Sequence, residues 1–159
     1  MAEHNSQSRN YGNQNNYSEH RTEPMPDFKL IKLSKPLDPE LFNGIAKQAA
    51  KAIKESDANA NKPTQLRKFY DELVLWDSRV QQVEESKRVE KFQDFLPFIR
   101  MMNAKAAYAE GRKPKLVTTD FVDLMRHTLA EVKDPETLTH CKLFWEAFMG
   151  FYKQVRPKD

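Results

Sequence analysis

The sequence predicts an all-α protein: a single compact bundle of about five helices, preceded by a disordered N-terminal tail. Three observations support this prediction. Apolar residues beyond position 37 recur at spacings of three and four, which places them on one face of a helix. Two segments begin with an N-cap residue followed by proline, at Asp38-Pro39 and Asp134-Pro135. Only four glycines occur in 159 residues, which disfavours a loop-rich or β-rich fold.

The N-terminal region differs in composition from the rest of the chain. Residues 1–27 are rich in Asn, Ser and Gln, and they carry too little apolar surface to offset the entropy of ordering. We therefore expect them to be disordered and expect residues 28–159 to form one helical domain. The segment FKLIKL, residues 28–33, alternates in polarity and predicts a short extended piece.

The first two predicted helices have well-defined starts. The first begins at Asp38-Pro39, is rich in alanine and runs to about Ser56, after which comes the polar link SDANANK. The second begins near Pro63-Thr64, where proline suits the first helical position. Its apolar positions form an unbroken packing seam at Leu66, Phe69, Leu73, Trp76, Val80 and Val83.

Three further helices are predicted in the second half of the chain. Pro97 lies inside the apolar pattern of the third helix and predicts a kink or a delayed start. Thr118 or Thr119 is expected to open the fourth helix, and Asp134 to open the fifth. The inner positions are Phe92, Phe95, Ile99, Met102 and Ala106 in the third; Phe121, Leu124, Met125, Thr128, Leu129 and Val132 in the fourth; and Leu138, Cys141, Trp145, Phe148, Tyr152 and Val155 in the fifth.

Charge and cysteine content limit the classes of function. The chain has 26 basic and 23 acidic residues, a net charge of +3. Two arginines and four acidic residues give residues 1–27 a charge of −2, which leaves +5 for the remainder. This excess permits a nucleic-acid-binding patch without requiring one. A single cysteine, no signal peptide and no membrane-spanning apolar run together predict a cytoplasmic protein with no membrane association.

Neither an enzyme nor a metal site can be assembled from the sequence, and no cofactor is expected. The glycines are too scattered to form a phosphate-binding loop. His127 and Glu131, at i and i+4, supply two metal ligands where a site needs three or four, and we interpret them as a solvated pair. His140 and Cys141 point about 100° apart on a helix. Cys141 is therefore interpreted as a small buried hydrophobe rather than a nucleophile.

A stripe on the third helix is the first candidate functional feature. Phe98, Met101, Lys105, Tyr108 and Arg112 are spaced 3, 4, 3, 4 and share one face beside the core face. We call this set the cationic stripe. Proteins that bind single-stranded nucleic acid hold phosphates with cations and stack bases on aromatic rings. The alternative is that Gly111 is a left-handed C′ residue and that the following cations simply favour the negative helix end.

Two further cations stand out at the start of the second helix. Arg67 and Lys68 lie at the positive end of the helix dipole, where cations are mildly unfavourable. Their position indicates either a bound anion or a carboxylate partner such as Asp71 or Glu72. The residues alone leave both explanations open.

Three stretches of sequence carry a resemblance to a known family. TQLRKFYDEL at residues 64–73, K-x-x-Y-x-x-G-R at 105–112 and FWEAFMGFYK at 144–153 occur in this order in one helical chain. Together they resemble the small subunit of the type III-A CRISPR effector, the Csm complex, over roughly residues 36–156. The Asn-rich tail is longer than this family usually carries, and Gly150-Phe151 replaces what is more often a small aliphatic pair.

The resemblance implies a non-catalytic, RNA-binding subunit that acts in antiviral defence. Copies of it would stack in a ribonucleoprotein filament and contact the backbones of CRISPR RNA and target RNA without sequence specificity. Its implied partners are the backbone subunits and the large nuclease and cyclase subunit, to which cleavage would belong. The RNA-contacting residues implied are Arg67, Lys68, Lys105 and Arg112, with Tyr108 between the last two and Arg100 and Lys113 added by proximity. The alternative function is a helical adaptor that binds only proteins.

Overall fold

A computed structural model describes residues 27–159, so the predicted disorder of residues 1–26 lies outside the described part of the chain. The described residues form an all-α bundle without strands, as the sequence predicts. Two short turns precede the bundle: a 3-10 turn at Phe28–Leu30 and a π-helical turn at Leu41–Ile45. The α-helices are α1 Ala46–Glu55, α2 Pro63–Gln81, α3 Glu85–Arg100, α4 Met102–Gly111, α5 Thr119–Ala130 and α6 Pro135–Val155.

The longest helix, α6, forms the centre of the bundle and packs against both α1 and α2. Its aromatic side chains continue from Phe144 to Trp145, Phe148 and Tyr152, all of which are buried. The Trp145 ring meets Phe121 of α5 edge-on at 5.6 Å, and its Nε1–H donates to Thr128 Oγ1 at 3.0 Å. Burial of each such side chain stabilises the fold by about 1.5–3 kcal/mol, so α6 supplies much of the core.

Capping residues or an N-terminal proline explain where three helices begin, and these predictions are confirmed. Asp134 and Thr137 form a capping box at the start of α6, with Thr137 N–H donating to Asp134 Oδ1 at 2.7 Å. Thr118 is the N-cap of α5, and Pro63 is the first residue of α2. The first predicted helix begins slightly later than expected. Asp38 Oδ1 accepts the Glu40 N–H at 2.8 Å, and helical structure starts at Leu41.

The third predicted helix is divided into α3 and α4 at Met101. Its start is not delayed, because Pro97 lies well inside α3. The left-handed conformation expected at Gly111 is wrong: no described glycine has a positive φ, and Gly111 is the last residue of α4. Arg112 leaves the helix in an extended conformation, and the N–H of Leu116 then satisfies the carbonyl of Ala109 at 2.9 Å. This hydrogen bond takes the place of a glycine cap.

The FKLIKL segment is only partly extended, and it explains two misassigned residues. Ile31 and Leu33 are buried without a strand partner, so their backbone groups need other partners. His127 Nε2 donates to Ile31 O at 2.9 Å, and Glu131 Oε2 accepts the Leu33 N–H at 3.4 Å. The interpretation of His127 and Glu131 as a solvated pair is therefore wrong. His140 similarly donates from Nδ1 to Leu33 O at 2.6 Å.

Cys141 is buried in the core, as predicted. Removal from water disfavours the thiolate and raises the pKa of Cys141 to about 12, although a contact with Thr128 acts in the opposite direction. A thiol in this state is not a nucleophile at neutral pH.

Candidate nucleic-acid interface

The cationic stripe forms an exposed face that continues across the junction of α3 and α4. Phe98 is 55 % exposed, Met101 50 % and Tyr108 73 %, while Arg112 is exposed at the end of α4. The inner face of the same helices is buried at Phe92, Ile99, Met102 and Ala106. The spacing of residues along the helix therefore predicts the two faces correctly. On the outer, exposed face, large apolar and aromatic groups lie among the cations.

Side-chain contacts join this stripe to α2. Lys105 Nζ lies 2.6 Å from Glu72 Oε1, and the rings of Trp76 and Phe98 stack with centroids 6.2 Å apart. Glu72 precedes Trp76 along α2, whereas their partners occur in the reverse order, with Phe98 before Lys105. Helix α2 therefore runs antiparallel to α3 and α4. Lys68 lies one turn before Glu72, and Tyr108 lies one turn after Lys105. Both therefore extend the contact surface toward the same end of the bundle.

The ion pairs on this face determine which cations are available to a ligand. Lys105 is balanced by Glu72, which is only 20 % exposed, and Arg67 Nε lies 3.8 Å from Asp71 Oδ1 at i+4. Both predicted carboxylates form ion pairs: Asp71 pairs with Arg67, whereas Glu72 pairs with Lys105. Among residues 27–159, Lys68 and Arg112 form no ion pair within 4.0 Å. These two exposed cations are therefore not paired with a carboxylate of the described chain.

The remaining predicted residues lie in three different places. Arg100 does not lie on the cationic stripe: it is rotated about 100° from Met101, and its Nη2 donates to Val132 O at 3.4 Å. It joins α3 to the residues that follow α5. Lys113 is exposed in the loop of residues 112–118, beside Arg112. Arg67 lines a cleft between α2 and α6, whose other polar and charged lining residues are Thr64, Tyr70, Glu146 and Lys153.

A second basic region was missed by sequence reasoning. Lys62, Lys115 and Arg156 line a cavity of about 500 Å³ together with Asp159. We call it the junction cavity, because it lies where the start of α2, the 112–118 loop and the residues after α6 meet. These three segments are distant in sequence. Only the tertiary fold brings their cations together, and no local pattern could have predicted it.

Asn61 fixes the walls of the junction cavity. It is fully buried and adopts the left-handed conformation, with φ of 58°. Its Nδ2 donates to Ile53 O, Ser56 Oγ and Thr118 Oγ1 at 3.2, 3.0 and 2.9 Å. Its Oδ1 accepts the Thr118 N–H at 2.9 Å. One side chain thereby joins the end of α1, the start of α2 and the 112–118 loop.

The backbone of Asn61 completes the same junction. Its N–H donates to Leu116 O at 2.9 Å, and its carbonyl accepts from the Tyr152 hydroxyl and from Arg156 Nη1. The polar link SDANANK, predicted as a simple connection, therefore contains a buried hydrogen-bonding residue, Asn61. It holds the basic loop against α2 and α6.

The described part of the chain contains neither a metal-binding cluster nor a membrane-spanning helix. Within residues 27–159, no three His, Cys, Asp or Glu side chains are grouped so that they could hold a metal ion. None of the helices described here has the length and apolar character needed to cross a bilayer.

Comparison with known proteins identifies one family. The family profile described as Csm2 Type III-A matches residues 37–158. No curated protein and no solved structure is significantly similar to the chain. The matched range includes all six α-helices and the 112–118 loop, and it covers well over half of the 159 residues. The chain therefore belongs to the Csm2 family, the small subunits of type III-A CRISPR complexes.

Proposed function

We propose that this chain is a non-catalytic RNA-binding subunit of a type III-A CRISPR ribonucleoprotein. It contacts the backbones of CRISPR RNA and of target RNA, stacks with copies of itself and joins the backbone subunits and the large subunit. RNA cleavage belongs to those other subunits. The protein acts in the cytoplasm in antiviral defence.

The observation that carries this proposal is the set of exposed residues formed by Lys68, the cationic stripe and residues 112–115 of the following loop. Cations on this surface can hold phosphates; Tyr108 offers an exposed ring between Lys105 and Arg112, and Phe98 offers a second at the other end of the stripe. A subunit that serves many guides needs contacts that are indifferent to base sequence. Phosphate contacts meet this need, because they position nucleic acid without reading bases.

The ion pairs lead us to expect that the cations contribute unequally to RNA affinity. Lys68 and Arg112 contact phosphate directly, because no carboxylate within the described chain neutralises them. Lys105 must exchange Glu72 for phosphate, so its contribution to affinity is smaller. Glu72→Gln should therefore increase RNA affinity, whereas loss of Lys105 should weaken binding less than loss of Lys68.

A protein-only adaptor is the second candidate function. It is favoured by the apolar groups on the same surface, since Phe98, Met101 and Leu75 are about half exposed beside Trp76. In that function the cations contribute only to surface ion pairs and helix ends. The two candidates differ in how binding responds to salt.

Salt-dependent RNA binding tests the proposal. We would titrate single-stranded RNA into the wild type and into Lys68→Ala/Arg112→Ala at several salt concentrations. Each phosphate contact contributes about 0.7 to the slope of log affinity against log salt. The double variant should therefore lose roughly 1.4 from this slope, with affinity reduced alike for unrelated sequences.

The matched control is Lys47→Ala/Arg126→Ala, which removes two exposed cations from α1 and α5. It changes net charge equally but leaves the proposed surface intact, so its slope should match the wild type. Equal slopes for the test and control variants would refute phosphate contact by Lys68 and Arg112. The adaptor function would then be the better account.

A further inference from the structure

The junction cavity contains a carboxylate in surroundings suited to an oxyanion. Asp159 Oδ1 accepts the backbone N–H of Thr64 at 3.1 Å, in the first turn of the 19-residue helix α2. Lys62, Lys115 and Arg156 line the same cavity, and each comes from a different segment of the chain. Backbone N–H groups at a helix start, combined with nearby cations, form the usual environment of a bound phosphate.

The Arg156 guanidinium is held by backbone carbonyl oxygens and not by a carboxylate of the described chain. It donates to the neutral carbonyl oxygens of Ala58, Ala60 and Asn61, and it also interacts with the Tyr152 hydroxyl. In the part of the chain that the structure describes, neither Lys62 nor Lys115 forms an ion pair within 4.0 Å. Three basic side chains and one acidic side chain, that of Asp159, line the cavity, and Asp57 lies close enough to interact electrostatically with Lys115 and Arg156. A fixed cation that is not neutralised is available to a second anion.

Two carboxylates at this junction have lowered pKa values, chiefly because they accept hydrogen bonds and to a smaller extent because of the nearby cations. The N–H and the side chain of Thr64 lower the pKa of Asp159, and Lys62 and Arg156 contribute in the same direction. The N–H groups of Ala60 and Asn59 lower the pKa of Asp57, with smaller contributions from Lys115 and Arg156. Asp57 is held by those two N–H groups outside the cavity lining, whereas Asp159 is exposed and occupies the cavity itself.

We propose that the junction cavity is a phosphate-binding site and that the Asp159 carboxylate occupies it as an internal competitor. An RNA phosphate displaces Asp159 from the Thr64 N–H and takes over the charges of Lys62, Lys115 and Arg156. No covalent step is involved. The RNA part of this inference rests on the proposed function, whereas the oxyanion part stands on the cavity alone.

The position of the cavity supports its role as an extension of the RNA surface. Lys115 belongs to the same loop as Arg112 and Lys113, only three residues beyond the end of the cationic stripe. The buried network of Asn61 holds this loop against the start of α2. No acidic residue lies between Arg112 and Lys115 in the sequence of this loop.

Displacement is tested first with inorganic phosphate as the probe. We would follow the backbone amide resonance of Thr64 by NMR during phosphate titration of the wild type, Asp159→Asn and Asp38→Asn. Asp38 is a matched control, because it is also exposed and accepts a backbone N–H, from Glu40 at 2.8 Å. The Thr64 amide of Asp159→Asn should saturate at about two- to tenfold lower phosphate than in the other two proteins.

Further variants separate a phosphate site from simple helix capping. Adding Lys62→Gln and Lys115→Gln to Asp159→Asn should abolish most of the Thr64 response while leaving helicity unchanged. A Thr64 response that is absent in Asp159→Asn, or the same in all three titrated proteins, would overturn the phosphate site and leave Asp159 as a helix cap.

The second arm uses single-stranded RNA. Asp159→Asn should tighten RNA binding by about two- to tenfold, beyond any effect of Asp38→Asn. If phosphate binds more tightly but RNA affinity is unchanged, the claim that RNA uses the cavity is refuted. If no variant binds RNA at all, the proposed function fails, while the phosphate titration still decides whether the cavity is an oxyanion site.

Discussion

Replacement of Asn61 by alanine should be among the most destabilising single changes in this bundle. The side chain is fully buried and makes four hydrogen bonds, to Ile53 O, Ser56 Oγ, Thr118 Oγ1 and the Thr118 N–H. Alanine removes all of them. It also places a Cβ-bearing residue without local hydrogen-bonding ability at φ of 58°, a conformation that disfavours most L-residues.

The magnitude follows from two separate costs. A buried donor or acceptor that loses its partner costs about 1–3 kcal/mol, and the Thr118 N–H is left in this state. The left-handed conformation costs a further 1–2 kcal/mol or so for a residue such as alanine. We therefore expect Asn61→Ala to lower the free energy of unfolding by about 2–5 kcal/mol.

Urea denaturation of the wild type, Asn61→Ala and Asn61→Gly measures both costs. Glycine loses the same hydrogen bonds but adopts the left-handed conformation readily, so the difference between the variants reports the left-handed cost minus the extra conformational entropy that glycine loses on folding. Asn61→Gly should be the more stable variant by up to about 1 kcal/mol. A loss below about 1 kcal/mol for Asn61→Ala, with an unchanged m-value, would refute the account of Asn61 as a buried hub.

Three further predictions concern stability and reactivity. Gly111→Ala should stabilise the protein by about 0.4–1 kcal/mol in urea denaturation, because Gly111 ends α4 without a positive φ and an added Cβ meets nothing within 4 Å; destabilisation would contradict this conformation. Leu33→Ala should lower the free energy of unfolding by about 2–5 kcal/mol, because this side chain is fully buried outside any helix; a loss typical of a surface site would mean that the segment is not docked. Cys141 should react with a thiol reagent at pH 8 only after denaturation, and rapid labelling of the native protein would contradict its burial. The pKa of Cys141 in the folded protein, about 12, exceeds the value of 9.0 for an unperturbed thiol. The contribution of the Cys141 thiol to the free energy of unfolding is therefore complete below pH 9 and is lost as the pH rises toward 12. Urea titrations of the wild type and Cys141→Ala at several pH values would measure this loss.

The features that sequence predicted well are those set by neighbours along the chain. Asp134 and Thr137 are three residues apart, and their capping box needs no tertiary partner. The seam of α2 and the buried face of α6 follow from helical periodicity in the same way. The exposed side of the cationic stripe could be predicted because the inner and outer faces of one helix are separated by spacing alone.

The features that sequence missed depend on residues that are distant along the chain. Glu72 and Lys105 pair across 33 positions, so the neutralisation of Lys105 could not be derived from its own helix. Asn61 bonds to Thr118 across 57 positions, and Arg156 reaches Ala60 across 96. His127 and Glu131 were misassigned for a similar reason, because their partners are backbone groups of Ile31 and Leu33.

The most direct test of the central claim compares target RNA binding by complexes assembled with wild-type protein and with Lys68→Glu/Arg112→Glu. Subunit content would be determined by native mass spectrometry, and affinity by titration at fixed salt. The account predicts unchanged subunit content and target affinity weakened at least about tenfold, since two attractive contacts become repulsive. Equal target affinity at equal subunit content would contradict RNA contact by this surface and would favour the protein-only adaptor.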